Sequence, residues 1–184
     1  MDVNFKFIDP QANDKIYFEQ IFAEKPGGGL VVNPSADLPP TSPVGFNAEG
    51  KLEAFKCYRL YAAVEAADTT IKLAKGSGVA TGDFIATGKK AVAVTAVDTT
   101  NEDYDVATAS LGVALAADKV LYQAAAASAS AAAPLLTPVF VLGAPVFADK
   151  GDQLVKLVNG ANLRKETANI SEELAALIPG IALV

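Results

Sequence analysis

At 184 residues and 18.9 kDa the chain suits one domain, or one domain with a sizeable extension, and its 51% hydrophobic content excludes disorder throughout. A net charge of −6 and a pI of about 4.6, with no cluster of Lys and Arg, weigh against nucleic acid as a partner, because a phosphate backbone needs concentrated cations. His is absent and Cys57 is the only cysteine, which excludes His-based acid–base chemistry and every multi-Cys or Cys/His zinc site.

Residues 1–24 combine an extended start, VNFKFI, with KIYFEQIFAEK, whose Ile16, Tyr17, Phe18, Ile21 and Phe22 suit a short amphipathic helix or a strand. Asp2 and the lack of a cationic start before an apolar run argue against a signal peptide. Residues 25–46 hold four glycines and five prolines in 22 residues, a density that predicts no regular element. Leu30, Val31, Val32 and Phe46 within them are more apolar than a free linker requires. The segment reads as an extended arm lying on a surface, its own or a neighbour's, with a flexible linker as the alternative.

From residue 51 the pattern turns to β. EAFKCYRLYAAV places Phe55, Cys57, Arg59 and Tyr61 on one side and Lys56, Tyr58 and Leu60 on the other. The apolar neighbours of Cys57 suit a buried structural thiol rather than a nucleophile, which needs a base. TTIKLAK, DFIAT, KAVAVTAV, YDVATASL and KVLYQA follow as strand-like runs, separated by the turn signals KGSG, TGD, TGKK, DTTNED and AADK. The stretch KGSGVATGDFIATGKK invites a phosphate-binding reading, but its spacing fails. Gly82 and Gly88 enclose five residues where a P-loop needs four, and no hydroxyl follows Lys89-Lys90. Gly76-Ser77-Gly78 is followed by three residues before Gly82, where a dinucleotide fingerprint allows two, and the next segment is strand-like. These glycines turn strands. ATGDFIATG, LAADKVLYQ and DKGDQLVKL each set Asp at a turn before an apolar strand, which marks Gly82, Asp83, Gly151 and Asp152 as turn-forming.

Asn101, Asp103 and Asp105 alternate like the start of a calcium loop, without its sixth-position Gly or twelfth-position Glu. A hairpin turn accounts for them more simply, and weak calcium binding stays open. QAAAASASAAA (123–133) suits a loop or a plain strand. The uncharged run from Ala124 to Ala148 is long enough to span a bilayer, but Pro134, Pro138 and Pro145 would break its helix, so no membrane association is expected. In NISEELAALIPG, Asn169 and Glu172 form a capping box, and Pro179-Gly180 ends the helix. Ile170, Leu174, Leu177 and Ile178 make its apolar face. Asn169-Ile170-Ser171 also matches a glycosylation sequon but serves better as a cap. GIALV, with Ile181 and Leu183, closes the chain as a strand. No nucleophile elbow or specific carboxylate pair appears, so no catalytic residue and no cofactor is expected.

The predicted fold is mainly β, a small barrel or sandwich of short hairpins with an extended N-terminal Gly/Pro-rich arm and a short C-terminal helix plus strand. Three parts are expected: residues 1–50 as N-terminal segment and arm, 51–152 as a β-rich body, and 153–184 as a strand–helix–strand assembly element. Leu30, Val31, Val32, Ile170, Leu174, Leu177, Ile178, Ile181 and Leu183 are the candidate oligomer interface.

Two segments carry a family resemblance. The run from TIKLAKGSG to KVLYQA, with its GDFI and VDTTNEDYD motifs, resembles the β-rich body of phage head-fibre and capsid-decoration proteins, notably those of gut Bacteroidales phages. The closing stretch from QLVKL, with VNGANLRKET, resembles their C-terminal part. AADKVL departs from the Gly-Asp expected at its turn, and residues 1–50 carry no resemblance. The resemblance implies a non-enzymatic virion protein on the capsid exterior, made in the host cytoplasm. It implies a homo-oligomer, often a trimer, seated on the major capsid protein. The alternative is a carbohydrate- or small-molecule-binding β module using Tyr58, Tyr61 and Tyr104, which otherwise serve strand packing.

Overall fold

The computed structural model describes residues 15–184, so the extended start VNFKFI lies outside the described residues. Along the chain run β1 (Phe18–Glu24), β2 (Gly29–Val31), β3 (Pro43–Phe46), β4 (Leu52–Ala54), β5 (Cys57–Arg59), β6 (Thr70–Ala74), β7 (Phe84–Ala86) and β8 (Ala91–Ala93). There follow β9 (Ala96–Asp98), β10 (Tyr104–Thr108), β11 (Val120–Ala124), β12 (Pro138–Leu142), β13 (Gln153–Val155), β14 (Leu157–Leu163), the helix α1 (Glu172–Ala175) and β15 (Gly180–Leu183). Strands take 41% of the described residues and helix 4%, so the fold is mainly β as the hairpin pattern predicts.

The two ends of the described residues build one curled, half-barrel sheet in the order β1-β14-β12-β3-β4-β2-β13, with β15 parallel to β14. The middle of the chain makes two further sheets, β5-β11-β7-β8 and β6-β10-β9. Alternation explains how they stack. Phe55, Cys57, Val120 and Tyr122 enter one apolar cluster together with Val158, Ala161 and Leu163 of β14. Tyr58, Leu60 and Leu121, pointing the other way from β5 and β11, join Ile71, Leu73 and Ala107 of β6 and β10 in a second. The β5-β11-β7-β8 sheet is therefore a central layer buried on both faces, which is why its strands are apolar in both registers. A third cluster, with Val31, Val44, Leu142 and Leu157, fills the curl of the large sheet.

The structure settles one alternative and changes two expectations. Within KIYFEQIFAEK, Phe18–Glu24 form strand β1, the strand rather than the helix of the two forms its pattern suits, because pairing with β14 satisfies the backbone. The Gly/Pro-rich arm is extended but contains β2 and β3, where no regular element was expected. Pro43 is tolerated as the first residue of its strand, and Gly29 lies where a Cβ would strike Leu157 and Leu52. The helix is capped two residues later than the capping box predicts. Ser171 Oγ accepts from the Leu174 N–H at 3.2 Å, whereas the Asn169 N–H donates to Thr41 Oγ1 at 2.6 Å and its amide to Ser42 Oγ at 2.8 Å. Asn169 thus ties the C-terminal segment to the arm. In the run QAAAASASAAA, Gln123 and Ala124 end β11 and the rest is a loop whose Ser128 forms an isolated bridge with Ala91. Among the described residues no helix is long and apolar enough to cross a membrane.

Candidate functional site

Val31 and Val32 are buried, and Val31 belongs to the cluster inside the curled sheet. Ile170, Leu174, Ile178 and Ile181 are buried in the cluster shared with β14 and the central layer, with Leu183 packed at its edge. The burial that such a stripe needs is met within one chain. Of the candidate interface residues, Leu30 and Leu177 stay exposed. Leu30 has a companion that sequence pattern did not single out. It is the register partner of Leu154 on β13, the last strand of the large sheet, and the two are 51% and 73% exposed. Phe22 is a further exposed aromatic on β1 at the opposite end of that sheet's strand order.

The four glycines of KGSGVATGDFIATG all have positive φ, as strand-turning residues would. Gly82 donates its N–H to Val94 O at 2.9 Å, and Gly151 takes φ +60° before β13. Asp152 Oδ1 receives the Asn33 N–H at 3.1 Å, linking that turn to the arm. Asp83 does more than turn the chain. Its Oδ2 accepts from Lys56 Nζ at 2.5 Å, Tyr58 Oη at 2.9 Å and the Ala80 N–H at 2.9 Å, and its Oδ1 accepts from Gln123 Nε2 at 3.2 Å. Gln123 Oε1 in turn accepts the Lys56 N–H at 3.2 Å. A buried lysine here was not singled out from sequence, although Lys56 falls on the Tyr58–Leu60 side of its alternation, an inward position for a charge.

The acidic hairpin tip holds no open cation cradle. Asn101 Oδ1 accepts the N–H groups of Asp103 and Tyr104 at 2.9 and 3.3 Å. Asp105 is buried and turned to Ser77, whose N–H and hydroxyl reach its Oδ2 at 3.2 and 3.0 Å. The Lys75 ammonium lies 3.2 Å from Asp105 Oδ1 and donates to Thr99 O and Asn101 O at 2.6 and 2.7 Å. The Oδ1 atom makes no directional hydrogen bond, so this contact is a charge pairing, and it places a cation of the protein's own at the loop. Among the described residues no group of three or more His, Cys, Asp or Glu is placed to hold a metal.

Burial pushes the Cys57 thiol far above its ordinary range, the state of a structural thiol rather than a nucleophile. Burial, and then the Asp83 carboxylate, likewise push the Tyr58 phenol up. Tyr58 is fully buried, while Tyr61 and Tyr104 sit with ring centroids 5.0 Å apart and the Lys72 ammonium 4.6 Å above the Tyr104 ring. A cleft of about 360 Å³ opens between Arg59, Asp118, Lys119, Lys165 and Glu172, a size that suits small ligands. Two of its cations are already engaged: Arg59 donates to the carbonyls of Asp118, Lys165 and Ala168, and Lys165 pairs with Glu172 at 2.6 Å.

Comparison with protein families, with curated proteins and with solved structures finds no match to this chain.

Proposed function

We propose that the protein is a structural virion component, a head fibre or capsid decoration protein that multimerises and binds the major capsid protein on the capsid exterior. The observation that carries this reading is the Leu30–Leu154 pair, two large aliphatic side chains in register on an exposed face at the edge of the curled sheet. A monomer has little use for such a pair beside a strand edge that no described strand pairs, and a second copy would cover both. The resemblance of the β-rich body and the closing stretch to head-fibre proteins gives the partner and the non-enzymatic role. The proposed assembly is a trimer, without cofactor or nucleic acid.

Sedimentation velocity and co-pelleting with capsids of the major capsid protein test the reading. The wild type should sediment as a trimer and pellet with capsids, and Leu154→Glu should sediment as a monomer while keeping its melting temperature. A wild type that stays monomeric at high micromolar concentration and remains in the supernatant overturns it.

One observation favours a second reading, a carbohydrate-binding module. Tyr61 and Tyr104 form an exposed-to-half-buried aromatic pair beside Lys72, a surface on which a sugar ring can stack. Tyr58, buried, drops out of it. Glycan titration monitored by NMR, with Tyr61→Ala as the comparison, separates the two readings.

A further inference from the structure

At one end of the central layer, Lys56 stands just before β5 and Asp83 just before β7, the two strands that flank β11, with Gln123 of β11 between them. The side chains of Lys56 and Asp83 are only 4% and 12% exposed, and Nζ lies 2.5 Å from Oδ2. The amine has one other partner, Gly78 O at 3.2 Å. The carboxyl group is surrounded by donors: Tyr58 Oη and the Ala80 N–H on Oδ2, and the Gln123 amide on Oδ1. These are the parts of an acyl-transfer site in which nucleophile and acyl group belong to the same chain.

We infer that Lys56 and Asp83 become joined by an isopeptide bond that the folded chain forms by itself. A proton passes from the ammonium to the carboxylate within their contact, leaving a neutral amine against a carboxylic acid. The amine lone pair attacks Cγ, and the Nζ–Cγ bond forms as the negative charge gathers on Oδ1, where the Gln123 amide donates. Tyr58 gives its phenolic proton to Oδ2 and recovers one from the nitrogen. The Cγ–Oδ2 bond then breaks, and Oδ2 leaves as water. In sum an ammonium and a carboxylate become an amide and one water, with nothing oxidised or reduced and no co-reactant.

Two physical effects drive a condensation that is slow and unfavourable between free groups in water. Holding the partners in contact supplies an effective concentration of about 10⁵–10⁸ M in well-oriented cases. Burial removes the bulk water that would reverse the step. The raised Tyr58 phenol keeps its proton across the neutral range, so it remains a donor to Oδ2. The product staples β5 to β7 across β11 and closes a loop spanning a sequence separation of 27.

The intact mass of the purified full-length chain, measured under denaturing conditions, tests the inference. Wild type should weigh one water less than its sequence requires, whereas Lys56→Arg and Asp83→Ala should each match their sequence mass. Proteolysis of wild type should release a branched peptide joining the segments around residues 56 and 83, and Tyr58→Phe should leave a larger unlinked fraction at early times after refolding. A wild type at full sequence mass means an ion pair only and overturns the inference, as does a water loss that persists in Lys56→Arg.

Discussion

Gly82 and Asp118 hold the same place, two residues before a strand, and both take a left-handed backbone, with φ of +94° and +64°. In sequence the repeated turn aligns Asp118 with Asp83, but in space Asp118 does the work of the glycine, which is why AADK manages without one. The two positions therefore respond oppositely to substitution. A Cβ on Gly82 would meet nothing within 4 Å, so Gly82→Val should cost about 1–3 kcal/mol through backbone strain alone. Asp118 is exposed and already bears that strain, so Asp118→Gly should raise stability by up to about 1 kcal/mol. Urea denaturation of both variants checks the pair, and a loss of stability in Asp118→Gly would contradict the assignment. Cys57 and Tyr58 supply a second residue-scale test. Both have folded values raised above their unfolded ones, so the stability they contribute is full below the unfolded values and is lost as pH rises. Stability should begin to fall near the ordinary thiol range and steepen near the phenol range, by about 1.4 kcal/mol per pH unit for each group. Cys57→Ala should remove the earlier part of the decline in a pH series of chemical denaturation.

At the scale of elements, the strand runs were legible because turn chemistry and alternation agreed. Three things were not. EAFKCYRLYAAV and KAVAVTAV each read as one strand, yet each divides between two sheets, the first into β4 and β5 and the second into β8 and β9. At the second break Val94 donates to Asp83 O, just before β7, and Thr95 to Thr108 O of β10, and no local residue preference marks such a handover between sheets. The strands within the extended arm escape notice for a related reason: counting prolines and glycines weighs each residue's own preference, whereas β2 and β3 exist because distant strands pair with them. Close packing is equally invisible in sequence. Gly180 faces Gly160 across the parallel β14–β15 pair, and a Cβ on Gly180 would lie 2.2 Å from Asn159 O. Gly180→Ala should therefore cost about 1–3 kcal/mol, although its backbone is ordinary, because β15 must move away from β14. Hydrogen exchange should show lost protection at 180–183 and at the facing part of β14, and unchanged protection there would refute the packing account.

For the molecule as a whole, the question is whether the C-terminal segment serves the fold or only its assembly. The apolar stripe of the helix was legible, but its destination was not, since a short stripe looks the same whether it docks on its own chain or on a neighbour. The structure places Leu174, Ile170 and Ile178 in the cluster that also holds Phe55, Cys57, Val158 and Leu163. Asn169 adds hydrogen bonds to Thr41 and Ser42, so the segment reaches the arm as well as the central layer. Leu174→Ala leaves a cavity where all three parts of the chain meet and should cost about 2–5 kcal/mol, a large share of a marginal stability. Deleting residues 169–184 goes further, because it removes β15 and opens that cluster to water. The truncated chain should lose its cooperative melting transition and any oligomer together, as judged by near-ultraviolet circular dichroism and sedimentation. Loss of the oligomer with the melt intact would make the segment an assembly element alone, against the burial seen here. Leu154→Glu is the complementary change, since Leu154 is exposed and outside the three clusters: it should leave the melt in place and remove only the association.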